Sequence, residues 1–241
     1  MNVLMIGNSF SEDASRYLHR IAKCGGAELN TCNLYIGGCP LSLHYRNMQS
    51  GDTAYELQVN GQNTDFFVGL EEMLRFRAWD VVSLQQVSQD AVRFDTFEPY
   101  LSALASFVRK CCPSARLFLH QTWAYEDGSA RLTQELGYRR HEEMLRDVRD
   151  AYARAKQTVC ADALVPSGEL FDLLLKNGIE KVHRDTFHAS FGLGRYALGL
   201  LWYAILTGNS VADNTFRDFD EPISEEEIAI VRRCVRQLTE G

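Results

Sequence analysis

Short apolar runs alternate along the chain with longer amphipathic stretches, and several of the runs break abruptly into small polar residues. Val3-Leu4-Met5-Ile6 is a continuous apolar block of the kind that fills a strand buried on both faces, and it stops at Gly7-Asn8-Ser9. Ala14, Tyr17, Leu18, Ile21 and Ala22 then recur at helical spacing behind Glu12 and Asp13, acids favoured in a first turn by the helix dipole. One helix is therefore predicted between Ser9 and a stop at Gly25-Gly26. A second strand through Leu29 to Ile36 runs into Gly37-Gly38. The stretch "YELQVNGQNTDFFVG" predicts a hairpin over about residues 55–68, turning at Asn60-Gly61 and decorating the domain.

Trp79 to Leu84 is the next core strand, and it ends in Gln85-Gln86-Val87-Ser88. A helix over 97–111, a strand over 116–120, a long helix over about 132–156 and a strand around 158–165 continue the alternation. The last third holds "RDTFHASFGLG", an apolar helix through Leu206 and a charged helix from about Ser224 to Leu238. Strands alternating with helices predict an α/β fold, a three-layer α/β/α sandwich around a central parallel sheet. No repeat, low-complexity tract or Pro/Ser linker interrupts the 241 residues, which predicts one domain over 1–241.

Composition narrows the function classes. The formal net charge of -7 argues against a nucleic-acid surface, and Arg139-Arg140 and Arg232-Arg233 are too small to make a basic stripe. No apolar run approaches the roughly 18 residues of a membrane span, and Met1 leads into the first strand without the regions of a secretory signal. These features predict a cytoplasmic chain with neither nucleic-acid nor membrane partners. Seven cysteines without a C-x-x-C pair suggest reduced thiols in a core rather than disulfides or a zinc knuckle.

The polar strand ends acquire a purpose in an open parallel sheet, where ligands bind beyond the carboxyl ends of the strands. Gly7-Asn8-Ser9, Gly37-Gly38 and Gln85-Gln86 all fall there and can converge although far apart in sequence. A serine nucleophile needs a base, and the base needs a group that holds its tautomer. Asp185 and His188, three residues apart in the loop before the apolar helix, meet that need.

The blocks "GNSFS", "GGCP", "LQQVS" and "DTFH", in this order over nearly the whole chain, resemble the SGNH (GDSL-like) hydrolases. The longer set "IGNSFSEDA", "GGCPL", "WDVVSLQQVS", "QTWAY" and "TFHAS" resembles a bacterial branch in which GNSFS replaces GDS. The resemblance implies an SGNH-type, flavodoxin-like sheet, Ser9 as nucleophile, His188 as general base and Asp185 as its orienter. It also implies an oxyanion hole built from the backbone N–H groups of Ser9 and Gly38. One element departs: where the family has Gly-x-Asn-Asp, this chain offers Gln85 and Gln86, either of whose amides can donate to an oxyanion. Carbohydrate acetylesterases of the superfamily are similar in placing Gln there. Trp123 and Tyr125 then stand as candidates for stacking on a sugar at the rim or for closing the core.

Each residue also has a plainer role available. Ser9 and Asp185 can cap helices, His188 can be a buried histidine, and His183, Asp185 and His188 can ligate a metal, although no second ligand cluster accompanies them. The expectation is a serine esterase cleaving short acyl esters, acetyl first, of O-acetylated carbohydrates, with no cofactor and no metal. The alternative is a carbohydrate- or small-molecule-binding protein that kept the fold and lost turnover.

Overall fold

The first apolar block forms β1 (Asn2–Gly7), whose Val3, Leu4, Met5 and Ile6 are buried at the centre of a seven-stranded sheet. This is a computed structural model, and it describes residues 1–240. β1 pairs in parallel with β2 (Asn30–Tyr35) on one side and β5 (Val81–Leu84) on the other, so that Ile6 lies between Leu34 and Leu84. β6 (Arg116–His120) and β7 (Ala163–Val165) extend the parallel part beyond β5. On the opposite side the hairpin of β3 (Tyr55–Val59) and β4 (Gln62–Val68) joins β2 as an antiparallel edge, giving the order β4-β3-β2-β1-β5-β6-β7. Rather than hanging outside the domain, the hairpin widens the sheet.

The helices make the two outer layers. On one face α1 (Ser9–Ser15) and α2 (Leu18–Cys24) pack against α8 (Leu193–Thr207), and α8 packs against α9 (Glu225–Thr239). α8 is apolar almost all round and is covered on nearly every side. The other face holds α3 (Leu41–Ser50), α4 (Leu70–Phe76), α5 (Tyr100–Cys111) and α6 (His141–Thr158), while α7 (Ser167–Lys176) meets α6, α8 and α9. The chain leaves β1 towards β2 and later returns to β5 on the far side of β1. That reversal of strand order opens a crevice above the carboxyl end of β1.

Two helix boundaries differ from the periodicity. The helix predicted from Ser9 to Gly25 is broken at Arg16-Tyr17, where tertiary bonds outweigh helix continuity. The Tyr17 hydroxyl donates to Phe191 O and accepts from Asp220 N–H at 2.7 Å, and Arg16 reaches Gly61 O at 2.9 Å. The helix predicted from 132 starts at His141, because Arg131–Glu135 closes as a single π-helical turn and Gly137 follows at φ 78°. The cysteines are unpaired, but Cys24 and Cys160 are exposed rather than in the core. Among the described residues no helix is long and apolar enough to cross a membrane.

Candidate active site

The turn after β1 is held by Asn8. Its side-chain oxygen caps α1 by accepting from Phe10 N–H at 3.1 Å, and its amide donates to Cys39 O at 3.2 Å, tying this turn to the loop after β2. The approach of α1 to the strand end demands a glycine before it. A Cβ on Gly7 would stand 2.6 Å from Ser11 Oγ. Gly38, at φ 61°, takes the left-handed conformation that glycine adopts without strain. Among the described residues, the N–H groups of Ser9 and Gly38 donate to no protein acceptor.

Ser9 Oγ lies 2.9 Å from His188 Nε2, and His188 Nδ1 lies 2.7 Å from Asp185 Oδ2. The other Asp185 oxygen accepts from the N–H of His188 at 2.9 Å, so the carboxylate holds both the imidazole and the backbone that carries it. Partial burial pushes the Asp185 carboxyl up, but the hydrogen bonds and charge of His188 outweigh it and hold the group below the usual carboxylate range. An ionised Asp185 accepts the Nδ1 proton, which leaves the Nε2 lone pair facing the Ser9 hydroxyl. That geometry lets an imidazole take a serine proton.

A cavity of about 460 Å³ opens over this pair. Its walls include Gly37 and Gly38 from the loop after β2, Val87, Ser88 and Gln89 from the loop after β5, and Glu12, Tyr35, Arg131, Arg184 and Phe187. Gln85 and Gln86 are not among them. Both are buried with their amides spent on the protein: Gln85 Nε2 donates to Asn8 Oδ1 at 2.8 Å, and Gln86 Nε2 donates to Thr96 O at 2.9 Å. Gln85 Oε1 accepts in turn from His120 Nδ1 at 3.0 Å, and Ser167 Oγ lies 3.0 Å from His120 Nε2. The two glutamines thus brace the loops, and of this block Val87 and Ser88 reach the cavity, with Ser88 Oγ 2.8 Å from Tyr125 Oη.

Trp123 and Tyr125 are also placed differently from a sugar-stacking rim, being 0% and 1% exposed. Trp123 stacks on Phe10 with ring centroids 4.0 Å apart and donates from Nε1 to Phe187 O at 2.7 Å. It closes the core beneath the site, because the loop carrying Phe187 folds back over it.

The charged groups around Ser9 and His188 are the ones the sequence alone did not point to. Asp13, fully buried one turn after Ser9 on α1, accepts from Arg184, from Arg195 Nε at 2.8 Å and from Ala189 N–H at 3.1 Å. It thereby fastens the histidine loop to the helix that carries the serine. The spacing Ser9-x-x-x-Asp13 was the available signal, since i and i+4 share a helix face. Glu12 accepts from Gln58 Nε2 at 2.9 Å, and burial raises its pKa.

Of the possible metal ligands, His183 is engaged through Nε2 with Ala124 O, and Asp185 and His188 with each other. A second cavity, of about 490 Å³, lies beyond His183 and includes Asp127, His141 and Glu142, whose ligand atoms fall within 4.8 Å of one another. Arg140 Nε already neutralises Asp127 at 3.1 Å there.

The fold is an α/β/α sandwich of the kind seen in structures of SGNH-type hydrolases. A candidate SGNH hydrolase from Slackia heliotrinireducens superposes with a TM-score of 0.62 at 22% identity, covering 86% of this chain and 98% of that one. A candidate GDSL-like lipase from Parabacteroides merdae ATCC 43184 superposes at 0.58 and 15% identity, with 86% and 95% covered. Within that fold the chain belongs to the family described as Domain of unknown function (DUF4886), whose profile matches residues 2–236. The crystal structure of a DUF4886 family protein from Bacteroides uniformis ATCC 8492 is similar over 98% of this chain and 93% of that one, at a TM-score of 0.89 and 27% identity. No curated protein matches the sequence.

Proposed function

We propose that this protein is a serine esterase that hydrolyses short acyl esters, acetyl above all, of O-acylated carbohydrates through an acyl-Ser9 intermediate. The observation that carries the reading is the continuous chain Ser9, His188, Asp185 at 2.9 and 2.7 Å, opening onto a cavity. Ser9 Oγ attacks the ester carbonyl carbon while His188 Nε2 takes its proton, and Asp185 steadies the imidazolium that forms. The oxyanion of the tetrahedral intermediate is met by the free N–H groups of Ser9 and Gly38. Ser88 Oγ supplies a third donor when the Tyr125 hydroxyl donates to it. As the intermediate collapses, His188 returns the proton to the leaving alkoxide and the alcohol departs. Water, deprotonated by His188, then attacks the acyl carbon and releases the carboxylic acid and Ser9.

A polar alcohol suits walls that carry Glu12, Tyr35, Ser88, Gln89, Arg131 and Arg184. Long acyl chains would need a continuous apolar trough, whereas the apolar lining here is limited to Phe10, Val87 and Phe187. With the deep aromatic pair enclosed in the core, carbohydrate recognition rests on this polar wall rather than on ring stacking by Trp123.

Hydrolysis of p-nitrophenyl acetate tests the reading. Wild-type protein turns it over, Ser9→Ala and His188→Ala lose at least about 10³-fold in kcat, and octanoate is cleaved far more slowly. A Ser9→Ala protein with wild-type turnover removes the serine mechanism. A folded wild-type protein that cleaves no ester but binds sugars is instead a binding protein on this fold.

A further inference from the structure

We infer that Arg131 is an anion-recognition residue of this cavity and that the alcohol part of the ester carries a carboxylate or sulfate group, an inference that rests on the esterase reading for the word ester. Two arginines line the cavity, and they differ in how their charge is used. Arg184 is neutralised by the buried Asp13 at 2.9 Å. Arg131 is partly buried, and among the described residues no carboxylate lies within 4.0 Å of its guanidinium, Glu135 of the same turn included. A partly desolvated cation without a counter-charge, in a protein of net charge -7, leaves its strongest interaction to be made with a ligand.

Its position is built. The guanidinium carbon sits 4.0 Å from the centroid of the Phe187 ring, and the Phe187 and His188 ring centroids are 3.8 Å apart. Stacking on an aromatic face fixes the planar fork and lowers the entropy lost on binding a carboxylate. The residue opens the one π-helical turn of the described residues, Arg131–Glu135, a local geometry found often at functional sites. Ser129 Oγ anchors that turn by accepting from Leu132 N–H at 3.2 Å.

The order Arg131, Phe187, His188 sets which part of the substrate meets the charge. His188 Nε2 must reach the leaving oxygen to protonate it, so the groups beside the imidazole face the alcohol rather than the acyl chain. Arg131 stands one ring beyond His188. The acids nearby do not cancel it. Glu12 is engaged by Gln58 and drawn by burial towards its neutral form, and Asp185 is held on Nδ1, the edge of the imidazole away from Ser9.

Equilibrium binding to Ser9→Ala protein tests this without requiring turnover. The probes are an O-acetylated methyl glucuronoside, its neutral glucoside counterpart and an O-acetylated sulfated glucoside. Titration calorimetry should show the glucuronoside or the sulfated sugar bound at least about tenfold tighter than the neutral one. Adding Arg131→Met should abolish the preference, Arg131→Lys should keep part of it, and raised salt should reduce it. In wild-type protein, p-nitrophenyl hemisuccinate, which carries the charge on the acyl side, should gain nothing over the acetate. Equal affinity for charged and neutral sugars, binding of neither, or a preference that survives Arg131→Met overturns the inference. A charge preference in Ser9→Ala alongside a wild-type protein that cleaves no ester removes the esterase reading and leaves the anion site standing.

Discussion

Gln85 Nε2 donates to Asn8 Oδ1 across 2.8 Å, joining the end of β5 to the turn that presents Ser9. The same oxygen caps α1, and Gln85 Oε1 is occupied by His120, so the amide acts through Asn8 rather than on a substrate. Gln85→Ala is expected to leave His120 Nδ1 unpaired in the core, costing about 1–3 kcal/mol, and to lower kcat by disturbing the Asn8-Ser9 turn. Gln86→Ala should cost comparable stability through the lost bond to Leu41 N–H, with a smaller effect on kcat. Denaturation midpoints and kcat for both variants check this. A stable Gln85→Ala protein with unchanged kcat contradicts the positioning role.

Ser88 carries the separable test of the oxyanion site. If its hydroxyl is the third donor, Ser88→Ala lowers kcat by roughly 10²-fold while KM hardly moves, as loss of a preorganised donor does. Tyr125→Phe should reproduce part of the loss, because the hydroxyl behind Ser88 is gone. Losses confined to KM would assign Ser88 to ground-state binding instead.

Asp13 is the fastener of the histidine loop. Asp13→Ala leaves Arg184 and Arg195 without their shared buried carboxylate, and the expected loss of stability is about 3–5 kcal/mol. Asp13→Asn retains the shape but not the charge and should still loosen residues 184–189. Hydrogen exchange at His188 and Ala189 N–H should accelerate in Asp13→Asn, and unchanged exchange there would refute the coupling.

Acid should weaken the fold in two windows. Burial lowers the pKa of His120 to about 3 from an ordinary 6.5, so the native state keeps it neutral where the unfolded chain binds a proton. Its contribution is complete above pH 6.5 and is lost as pH falls from there towards 3. Asp220, held at about 2 by its hydrogen bonds to Arg16 against an ordinary 3.8, stabilises above that value and is lost between roughly pH 4 and 2. Tm measured from pH 7 to 2 should fall through both ranges, with His120→Gln lessening the upper fall, which the buried His44 and His183 share, and Asp220→Asn lessening the lower. A His120→Gln protein with the wild-type slope between pH 6.5 and 4 argues against this assignment.

Much of the architecture is legible because it is local. Apolar runs ending in small or polar residues mark β1, β2 and β5, whose ends lead to Ser9, Gly38 and Ser88 at the cavity, while Asp185 and His188 lie in the loop before α8. Partners distant in sequence are not legible. Nothing near Gln85 tells that its amide meets Asn8, 77 residues away, and nothing near Trp123 tells that Phe187 will cover it. The break at Arg16-Tyr17 is hidden for the same reason, since its bonds reach Gly61, Phe191 and Asp220. Residue type announces chemistry, while the fold decides whether an amide or an aromatic ring faces ligand or protein.

Acylation of Ser9 is tested most directly by mass spectrometry of protein quenched in acid during turnover of p-nitrophenyl acetate. A mass gain of one acetyl group is expected, located by fragmentation to Ser9, matched by a burst of p-nitrophenol and absent from Ser9→Ala. Acetylation at another residue, or turnover accompanied by a hydrolytic burst that persists in Ser9→Ala, would contradict it.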